Sequence, residues 1–509
     1  MKKILAMLLV LMMTLGLVPA LAEAPVEVTI LLEGNNVSDD TAVMEKLNAY
    51  LSEKIGVTVK PIWGTWADFD DKAVNAINSG DSSIDMMFTC SWTKNEYAKY
   101  AKEGAYVRLD DPADDLLAQY GQELTALLPE VLMEGAVVDG ADGAGIYGVP
   151  GFKDFATINS WDINVTLLEK YGYTLDDIRN TDFFGFGEIM AKVKEGEGDA
   201  FYPMYTEGAV MERMVTGTPI VNGDSNLLLS YYMDPQNVSE PGKYGVKFFN
   251  KYATEEYKAY VEKAHEYYQA GYIHPSLAIG EQATDTWRNA QDSASYLISS
   301  EVTLYGYEFT TSAKRGIDVA YVYCNEPYID NTSVQGAIIA ISANSEHPVE
   351  CMKFLNLLNT DPYVMTLMNY GIEGVHYNLN DQGEVEFTDE RTNKYTVWTN
   401  GLGNVTILPP QKGQGSDFQQ KFADFYAGSK KLPIYGFSFD PSNVQNEVAA
   451  CVNVTEAYAD PEHGRGRSRH RAARVPPEAG RCRHAEDRGR GERSVGGLPG
   501  QVNCGRNFA

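Results

Sequence analysis

Hydrophobic and polar positions follow two different periods near the start of the chain. Apolar and β-branched residues alternate with polar ones in VEVTILL (26–32) and VTVKPIW (57–63), and IDMMFT (84–89) is a short apolar run; all three predict strands. Between these runs, apolar residues recur every three or four positions, which predicts two helices whose apolar faces contain Val43, Leu47, Leu51 and Ile55, and then Phe69, Ala73 and Ile77. This β-α-β-α-β order predicts a parallel, twisted sheet with helices on both faces.

A second set of elements is predicted further along the chain. FATINS (155–160) is typical of a strand, and DINVTLLEKYG (162–172) of a helix that ends at its glycine. Another helix is expected over 255–270. GAIIAIS (336–342) is a continuous apolar strand followed by a helix over 349–358. Strands that return late to an early sheet indicate two lobes joined by several crossovers.

The fold class predicted from this pattern is therefore α/β, with two lobes and a ligand cleft between them. We expect residues 23–152 and 296–343 to form the N-terminal lobe, and residues 153–295 and 344–460 to form the C-terminal lobe. No long Ser/Gly linker separates them, which favours hinge closure around a ligand over independent domains. Ligands of such sheets bind beyond the carboxyl ends of the strands, so residues that directly follow a strand are the first site candidates.

The two ends of the chain differ from the rest. Residues 1–22 begin with two lysines, continue with an apolar run over 4–18 and end in Ala20-Leu21-Ala22, which is the three-part order of a cleaved signal peptide. We expect the chain to be exported to the cell envelope or the exterior. The first cysteine is Cys90, far beyond the apolar run, so a lipid anchor at a lipobox cysteine is not predicted.

Residues 461–509 contain no Lys, 11 Arg and nine Gly, whereas residues 1–460 contain 25 Lys and 6 Arg. One interpretation is a basic disordered tail. We favour a shift of reading frame, because codons for this segment can be chosen so that loss of one nucleotide yields a peptide ending in MQKIVEEVNAQLEAFLAK. That ending has the apolar spacing of an amphipathic helix, which the written tail lacks.

The overall charge excludes one class of partner. The chain has 42 Lys and Arg against 70 Asp and Glu, a formal charge of −28, and residues 23–460 alone carry −36. A nucleic-acid binder needs a basic surface to neutralise phosphates, so nucleic acid is not an expected partner. The same negative charge disfavours long-range attraction of an acidic ligand. The histidines and acidic runs match no zinc or calcium motif, and we predict neither a metal nor a cofactor.

Several stretches carry a resemblance to a known family, and NYGIEGVHY (369–377) is the most specific of them. Others are GIYGVPGF (145–152), LLEKYGYTLDDI (167–178) and LPIYGFSFDPSNVQNEVAACVNVTEAY (432–458). With them the chain resembles the extracellular solute-binding proteins of ABC importers, in particular the carbohydrate type (family 1) that includes aldouronate- and oligosaccharide-binding proteins of Firmicutes. The resemblance implies a type II periplasmic-binding-protein-like fold. It also implies a monomer that is not an enzyme, captures an oligosaccharide by hinge closure and presents it to permease subunits.

A sugar site requires flat aromatic faces for the pyranose ring and polar side chains for its hydroxyls. Trp66 and Trp92 are the first candidates for stacking because both follow strand ends at the predicted cleft, and Ser91 is a candidate hydroxyl donor there. Four further tryptophans are weaker candidates for ligand contact, and they are Trp63, Trp161, Trp287 and Trp398. For each tryptophan, packing in the core or between lobes is the alternative role.

Two other functions fit the same composition. A secreted polysaccharide-cleaving enzyme would place two carboxylates about 5–10 Å apart across the cleft. A surface adhesin would bind sugar without closing. The binding-protein interpretation instead predicts aromatic plates together with amide or hydroxyl groups contributed by both lobes.

Overall fold

The structure is a computed structural model that describes residues 24–34, 36–65, 67–206, 208–217, 229–230, 249–275, 289–437 and 443–457. The predicted signal peptide and the segment 461–509 lie outside these ranges. No helix among those described combines the length and the apolar composition that a bilayer crossing requires.

Within the described residues, nine strands form the two main sheets, and they are β1 (Val26–Glu33), β2 (Val57–Gly64), β3 (Met86–Thr89), β4 (Val149–Pro150), β5 (Asn159–Asn164), β6 (Met204–Tyr205), β7 (Ile298–Val302), β8 (Val319–Tyr323) and β9 (Ile338–Ile341). Short two-stranded pairs join Asn36–Val37 with Tyr395–Thr396, Asp110–Asp111 with Asp114–Asp115, Val137–Gly140 with Gly143–Ile146, Leu229–Ser230 with Phe249–Asn250, Tyr328–Ile329 with Lys430–Lys431, and Tyr377–Leu379 with Val385–Phe387.

The described α-helices are α1 (Thr41–Ile55), α2 (Phe69–Ser79), α3 (Tyr97–Lys102), α4 (Leu116–Tyr120), α5 (Gln122–Leu127), α6 (Glu130–Gly135), α7 (Val165–Lys170), α8 (Leu175–Arg179), α9 (Gly187–Glu197), α10 (Gly208–Thr216), α11 (Glu255–Gln269), α12 (Tyr307–Arg315), α13 (Asn331–Val334), α14 (Pro348–Thr360), α15 (Pro362–Tyr370), α16 (Asp389–Lys394), α17 (Phe418–Ala427) and α18 (Gln445–Ala457).

The first sheet has the strand order β2-β1-β3-β9-β4. Strand β1 is parallel to β2 and β3, which confirms the sheet predicted from the early pattern. Gly56 follows α1 with φ 67°, a left-handed conformation that glycine adopts without strain, and the chain turns there directly into β2. Strand β9 joins late in the chain and runs antiparallel between β3 and β4.

The second sheet has the strand order β6-β7-β5-β8, with β5 antiparallel to both of its neighbours. The strand that we predicted at 155–160 lies at 159–164, and the helix that we predicted from residue 162 begins at Val165. Asn164 ends the strand and caps the helix, because its side-chain oxygen accepts a hydrogen bond from the Leu167 N–H at 2.9 Å.

Each sheet has its own hydrophobic core, so the chain folds into two lobes as predicted. The first core contains buried residues from Val28 to Ile158 and from Ile329 to Tyr426, and the second contains residues from Trp161 to Ile298 together with Cys451. This division differs from the boundaries that we predicted. We placed 296–343 in the N-terminal lobe, but β7 and β8 pair with β5 in the second sheet.

We also placed 344–460 in the C-terminal lobe, but α14 and α15 pack on α1, and α14 contacts β1 and β9 in the first core. Hydrophobic periodicity identifies a strand or a helix without showing which sheet it joins. The assignment of these late segments therefore depended on chain order alone.

Three segments that connect the two cores lie side by side. Thr157 and Tyr328 exchange backbone hydrogen bonds of 2.7 and 3.3 Å, and Tyr328–Ile329 pairs in parallel with Lys430–Lys431. Lys430 also forms an ion pair of 2.8 Å with Glu326. The lobes are thus joined by several adjacent strands, which is the multi-crossover connection predicted from the sequence.

Candidate functional site

A cavity of about 270 Å³ lies between the two lobes. One wall is formed by Tyr307 and Thr310 of α12, a helix that packs on β8 of the second sheet. The rest of the lining belongs to the first core, mostly residues 397–422 together with Tyr305, whose ring packs against Phe418 at 6.0 Å between centroids. Both lobes therefore contribute to the same cavity.

The lining combines aromatic rings with uncharged polar groups. Its aromatic and polar members are Tyr305, Tyr307, Thr310, Tyr370, Trp398, Thr399, Asn400, Thr406, Gln411, Gln414, Phe418, Gln419 and Phe422. Among the described residues that line the cavity, none is Asp, Glu, Lys, Arg or His. The cavity therefore offers apolar faces and neutral hydrogen-bonding groups.

Trp398 forms part of an aromatic cluster at the first-lobe wall. Its ring meets Phe88 at 5.5 Å and Trp92 at 5.8 Å between centroids, both nearly perpendicular. Gly401 lies so close that a Cβ there would come within 2.6 Å of the Trp398 ring, so only glycine fits beside the indole. The ring is therefore held in place from at least two sides.

On the second-lobe wall, the Tyr307 ring is 42% exposed and stacks on Tyr321 at 6.1 Å, with 13° between ring planes. The Tyr321 hydroxyl lies 3.2 Å from the Thr311 Oγ1. At the other end of α12, Arg315 forms a buried ion pair of 2.7 Å with Asp162 of β5. These contacts fix α12 on the second sheet and present Tyr307 to the cavity.

Burial affects the ionisation of Tyr370 in the cavity lining and of Glu33 in the first sheet. Burial raises the pKa of the Tyr370 hydroxyl to about 12, so this lining group is neutral at physiological pH. Glu33 ends β1 at the carboxyl edge of the first sheet, is 4% exposed, and neither of its carboxylate oxygens has a hydrogen-bond partner among the described residues. Burial raises its pKa to about 8.

Comparisons with known proteins agree on the fold. A family model described as a domain of unknown function (DUF3502) matches residues 433–463. A carbohydrate ABC transporter substrate-binding protein of Streptococcus pneumoniae serotype 4 (strain ATCC BAA-334 / TIGR4) is 24% identical over 423 residues, 82% of this chain and 79% of the relative.

The crystal structure of the N-glycan transport solute binding protein NgtS from Streptococcus pneumoniae matches with a TM-score of 0.74 and 21% identity, covering 89% of this chain and 93% of that one. The same protein in complex with Man5GlcNAc matches with a TM-score of 0.68 and 22% identity, covering 89% and 94%. This chain has a solute-binding-protein fold. The type II periplasmic-binding-protein-like fold and the resemblance seen in the sequence are thereby confirmed.

Within this solute-binding fold, Trp398 is the one predicted site residue among the cavity-lining side chains that the structure describes. Trp92 contacts it from outside the cavity, with 45% of its surface exposed. The Trp92 indole Nε1–H donates to the Gly336 carbonyl at 2.9 Å, which anchors one edge of the ring. The two tryptophans therefore belong to one aromatic cluster, of which the Trp398 ring lines the cavity.

The structure gives other predicted residues packing roles. Ser91 is buried, and its hydroxyl donates to the Thr332 carbonyl at 3.0 Å, so this hydrogen is already used within the protein. The Trp63 Nε1–H donates to Asp40 at 2.9 Å, away from the cavity lining. Trp161 is 6% exposed and stacks on Phe183 in the second core. Trp66 and Trp287 lie outside the described residues.

Most of the lining was not predicted from the sequence. It includes three tyrosines and three glutamines, and they are Tyr305, Tyr307, Tyr370, Gln411, Gln414 and Gln419. A sequence signal for the glutamines exists in LPPQKGQGSDFQQ (408–420), where amides cluster around turn-forming Pro and Gly residues. Such a cluster next to an aromatic helix marks a candidate site for a polar, neutral ligand.

Proposed function

We propose that this protein is an exported solute-binding protein that captures a neutral carbohydrate between its lobes and delivers it to the permease of an ABC transporter. The observation that carries the proposal is the cavity itself, in which aromatic and amide groups from two lobes meet with no charged residue in the described lining. The pneumococcal relatives are a carbohydrate ABC transporter substrate-binding protein and an N-glycan transport protein, which agrees with this ligand class.

The chemistry of the lining suits a sugar. A pyranose has an apolar C–H face, which an exposed ring such as Tyr307 or Trp398 can cover. Its hydroxyls both donate and accept hydrogen bonds, and each hydroxyl buried without a partner costs about 1–3 kcal/mol. Amide side chains supply both functions without a charge, as Asn400 and Gln414 can here.

The connection between the lobes supports capture by closure. The crossover strands at 157, 328 and 430 are adjacent, so small backbone rotations there would turn one lobe against the other. Closure would bring Tyr307 and Thr310 of α12 toward the first-lobe part of the lining and shield the sugar from water. We infer that the protein acts as a monomer and that residues 1–22 direct its export.

The alternative of a polysaccharide-cleaving enzyme requires two carboxylates facing the sugar. The described lining of the cavity contains neither Asp nor Glu, which favours binding over hydrolysis at this site.

A thermal-shift screen tests the proposal. A ligand that binds only the folded state raises stability by about 2.7 kcal/mol at one hundred times its Kd, so a bound oligosaccharide should raise Tm in a concentration-dependent way. Small-angle scattering should then show a smaller radius of gyration with the sugar bound. A panel of neutral oligosaccharides that leaves Tm unchanged would contradict the proposal, and chromatographic detection of cleaved sugar would support the enzyme instead.

A further inference from the structure

Three glutamines line the cavity, and each has one end of its amide already bonded within the protein. The Gln414 Oε1 accepts a hydrogen bond from the Gln411 backbone N–H at 2.7 Å. The Gln419 Nε2–H donates to the Leu408 carbonyl at 2.7 Å. The Gln411 Nε2 lies 3.3 Å from the Tyr370 hydroxyl. Each side chain therefore has one amide atom left for a ligand.

The backbone partners decide which atom that is. A backbone N–H can only donate and a carbonyl oxygen can only accept, so the amides of Gln414 and Gln419 have a single orientation. Gln414 keeps both hydrogens of its Nε2 as donors, and Gln419 keeps its Oε1 as an acceptor together with the second hydrogen of its Nε2. Neither the Gln414 Nε2 nor the Gln419 Oε1 has a hydrogen-bond partner within the described structure. The hydroxyl beside Gln411 can donate or accept, so that amide is not fixed in the same way.

The segment that contains Gln414 is also held in place. The Val385 N–H donates to the Pro410 carbonyl at 2.8 Å, and the Lys412 N–H donates to the Val385 carbonyl at 3.0 Å. The Glu384 carboxylate accepts hydrogen bonds from the N–H groups of Gly413 and Gly415, at 3.3 and 2.9 Å. The amide donor is thus positioned before any ligand arrives.

We propose that Gln414 and Gln419 determine specificity by offering one fixed donor and one fixed acceptor, which selects neutral hydroxyl-bearing sugars against uronic acids. A hydroxyl satisfies either atom because it donates and accepts. A carboxylate only accepts, so it could bond the free amide hydrogens but would leave the Gln419 oxygen without a donor, and the described lining supplies no cation to compensate its charge. This inference rests on the proposed function.

The test compares neutral and acidic probes by titration calorimetry. The neutral probes are the tetraoses of mannose, glucose and xylose together with Man5GlcNAc, and the acidic probes are tetramers of mannuronate and glucuronate and an aldotetraouronic acid. The protein should bind at least one neutral probe at least tenfold more tightly than any acidic probe. Equal or tighter binding of an acidic probe would overturn this inference alone, whereas binding of neither set would overturn the proposed function as well.

The Gln414→Glu variant tests the free donor directly. It keeps an oxygen for the Gln411 N–H and replaces only the free donor by an acceptor, so neutral binding should fall at least tenfold at pH 7. Protonation of the introduced carboxyl restores an O–H donor, so the affinity of the variant for neutral sugar should recover toward pH 4. The affinity of the original protein should stay constant over the same pH range. The charged groups around this loop are Glu384, Lys412 with its ion-pair partner Glu386, and Asp417 with its ion-pair partner Lys421.

Since Lys412 and Lys421 are each paired with a carboxylate, the nearby negative charge of Glu384 should raise the pKa of the introduced carboxyl, so recovery should begin above pH 4.3. Gln382→Glu adds the same charge at an exposed turn and should leave affinity unchanged. If Gln414→Glu binds neutral sugar normally at pH 7, or loses binding without recovery at low pH, the assignment of Gln414 is overturned.

Discussion

Replacing Trp398 by Ala removes the aromatic plate that lines the cavity on the first-lobe side. The indole contacts Phe88 and Trp92 edge to face, so its loss affects both the ligand surface and the packing beneath it. The variant should therefore show two separate effects, a lower affinity for sugar and a lower stability of the free protein.

The size of each effect follows from the contacts. A pyranose that covers roughly 60 Å² of the indole contributes about 1.5 kcal/mol at about 25 cal/mol per Å². Direct ring contact adds about 0.5–1.5 kcal/mol. Together these predict a loss of affinity of about 30- to 150-fold. Because the ring is half-buried, truncation should cost about 2–3 kcal/mol of unfolding free energy, below the 3–5 kcal/mol typical of a fully buried Trp.

Calorimetry separates the two effects when affinity is measured well below the melting temperature of every variant. Trp63→Ala is the matched control because Trp63 is also half-buried, donates its Nε1–H to Asp40 and meets Tyr395 edge to face at 6.5 Å. It should lose comparable stability and keep the original affinity.

The reasoning would be refuted if Trp398→Ala bound sugar within threefold of the original protein. It would equally be refuted if Trp63→Ala lost affinity to the same extent, since the loss would then reflect general destabilisation. The affinity of Trp398→Phe for sugar should lie between those of Trp398→Ala and the original protein, because phenylalanine retains a smaller ring.

Three other predictions concern separate features. Trp92→Ala should reduce affinity more than tenfold, because its exposed ring adjoins Trp398, and it should lower Tm by a few degrees, because the bond to Gly336 is lost; unchanged binding in calorimetry would remove Trp92 from the site. The folded pKa of Glu33, about 8, lies above its unfolded value near 4.3, so the folded state holds the proton more tightly and stability falls as pH rises from about 4.5 to about 8. Glu33→Gln should accordingly be more stable than the original protein in urea unfolding at pH 8, with the difference shrinking toward pH 5; a difference independent of pH would contradict the raised pKa. Sequencing the DNA across codons 455–503 should reveal codons compatible with a one-nucleotide shift near residue 462, close to where the match to DUF3502 ends at residue 463, and unsuitable codons would contradict that interpretation.

The first sheet could be predicted from the sequence because its strands and helices are local and periodic. VEVTILL, VTVKPIW and IDMMFT became β1, β2 and β3, and the intervening apolar faces became α1 and α2. For the later segments, the sequence did not show which of the two sheets each strand joins. Strand β9 pairs with β3 about 250 residues earlier in the chain, and α14 packs beside it, contacts that no local pattern encodes.

The site was predictable only in part, for a related reason. Candidates for ligand contact were chosen by residue type and by position relative to a strand. They include Trp398, which lines the cavity, and Trp92, which contacts Trp398, but also Trp161. Trp161 lies within β5 and not after it, because the strand runs from residue 159 to 164, and its ring packs on Phe183 in the second core. Tyr307, Gln414 and Gln419 lie in turns and helix ends brought together by tertiary structure, where hydrophobic periodicity carries no signal.

An uncharged lining is also compatible with release of the sugar, which delivery to the permease requires. Hydrogen bonds to charged groups contribute about 1.5–3 kcal/mol each, and neutral ones about 0.5–1.5 kcal/mol. A site built from amides and rings therefore gains affinity in small steps, and opening the lobes removes the second-lobe contacts, those of Tyr307 and Thr310, together. The fixed orientation of the Gln414 and Gln419 amides supplies selectivity without strong charge–charge attraction. These side chains discriminate between neutral and acidic sugars by whether a ligand group can donate or accept a hydrogen bond. The strong negative charge of the chain, −28 overall, then lies outside the described lining of the site, and it does not repel a neutral sugar.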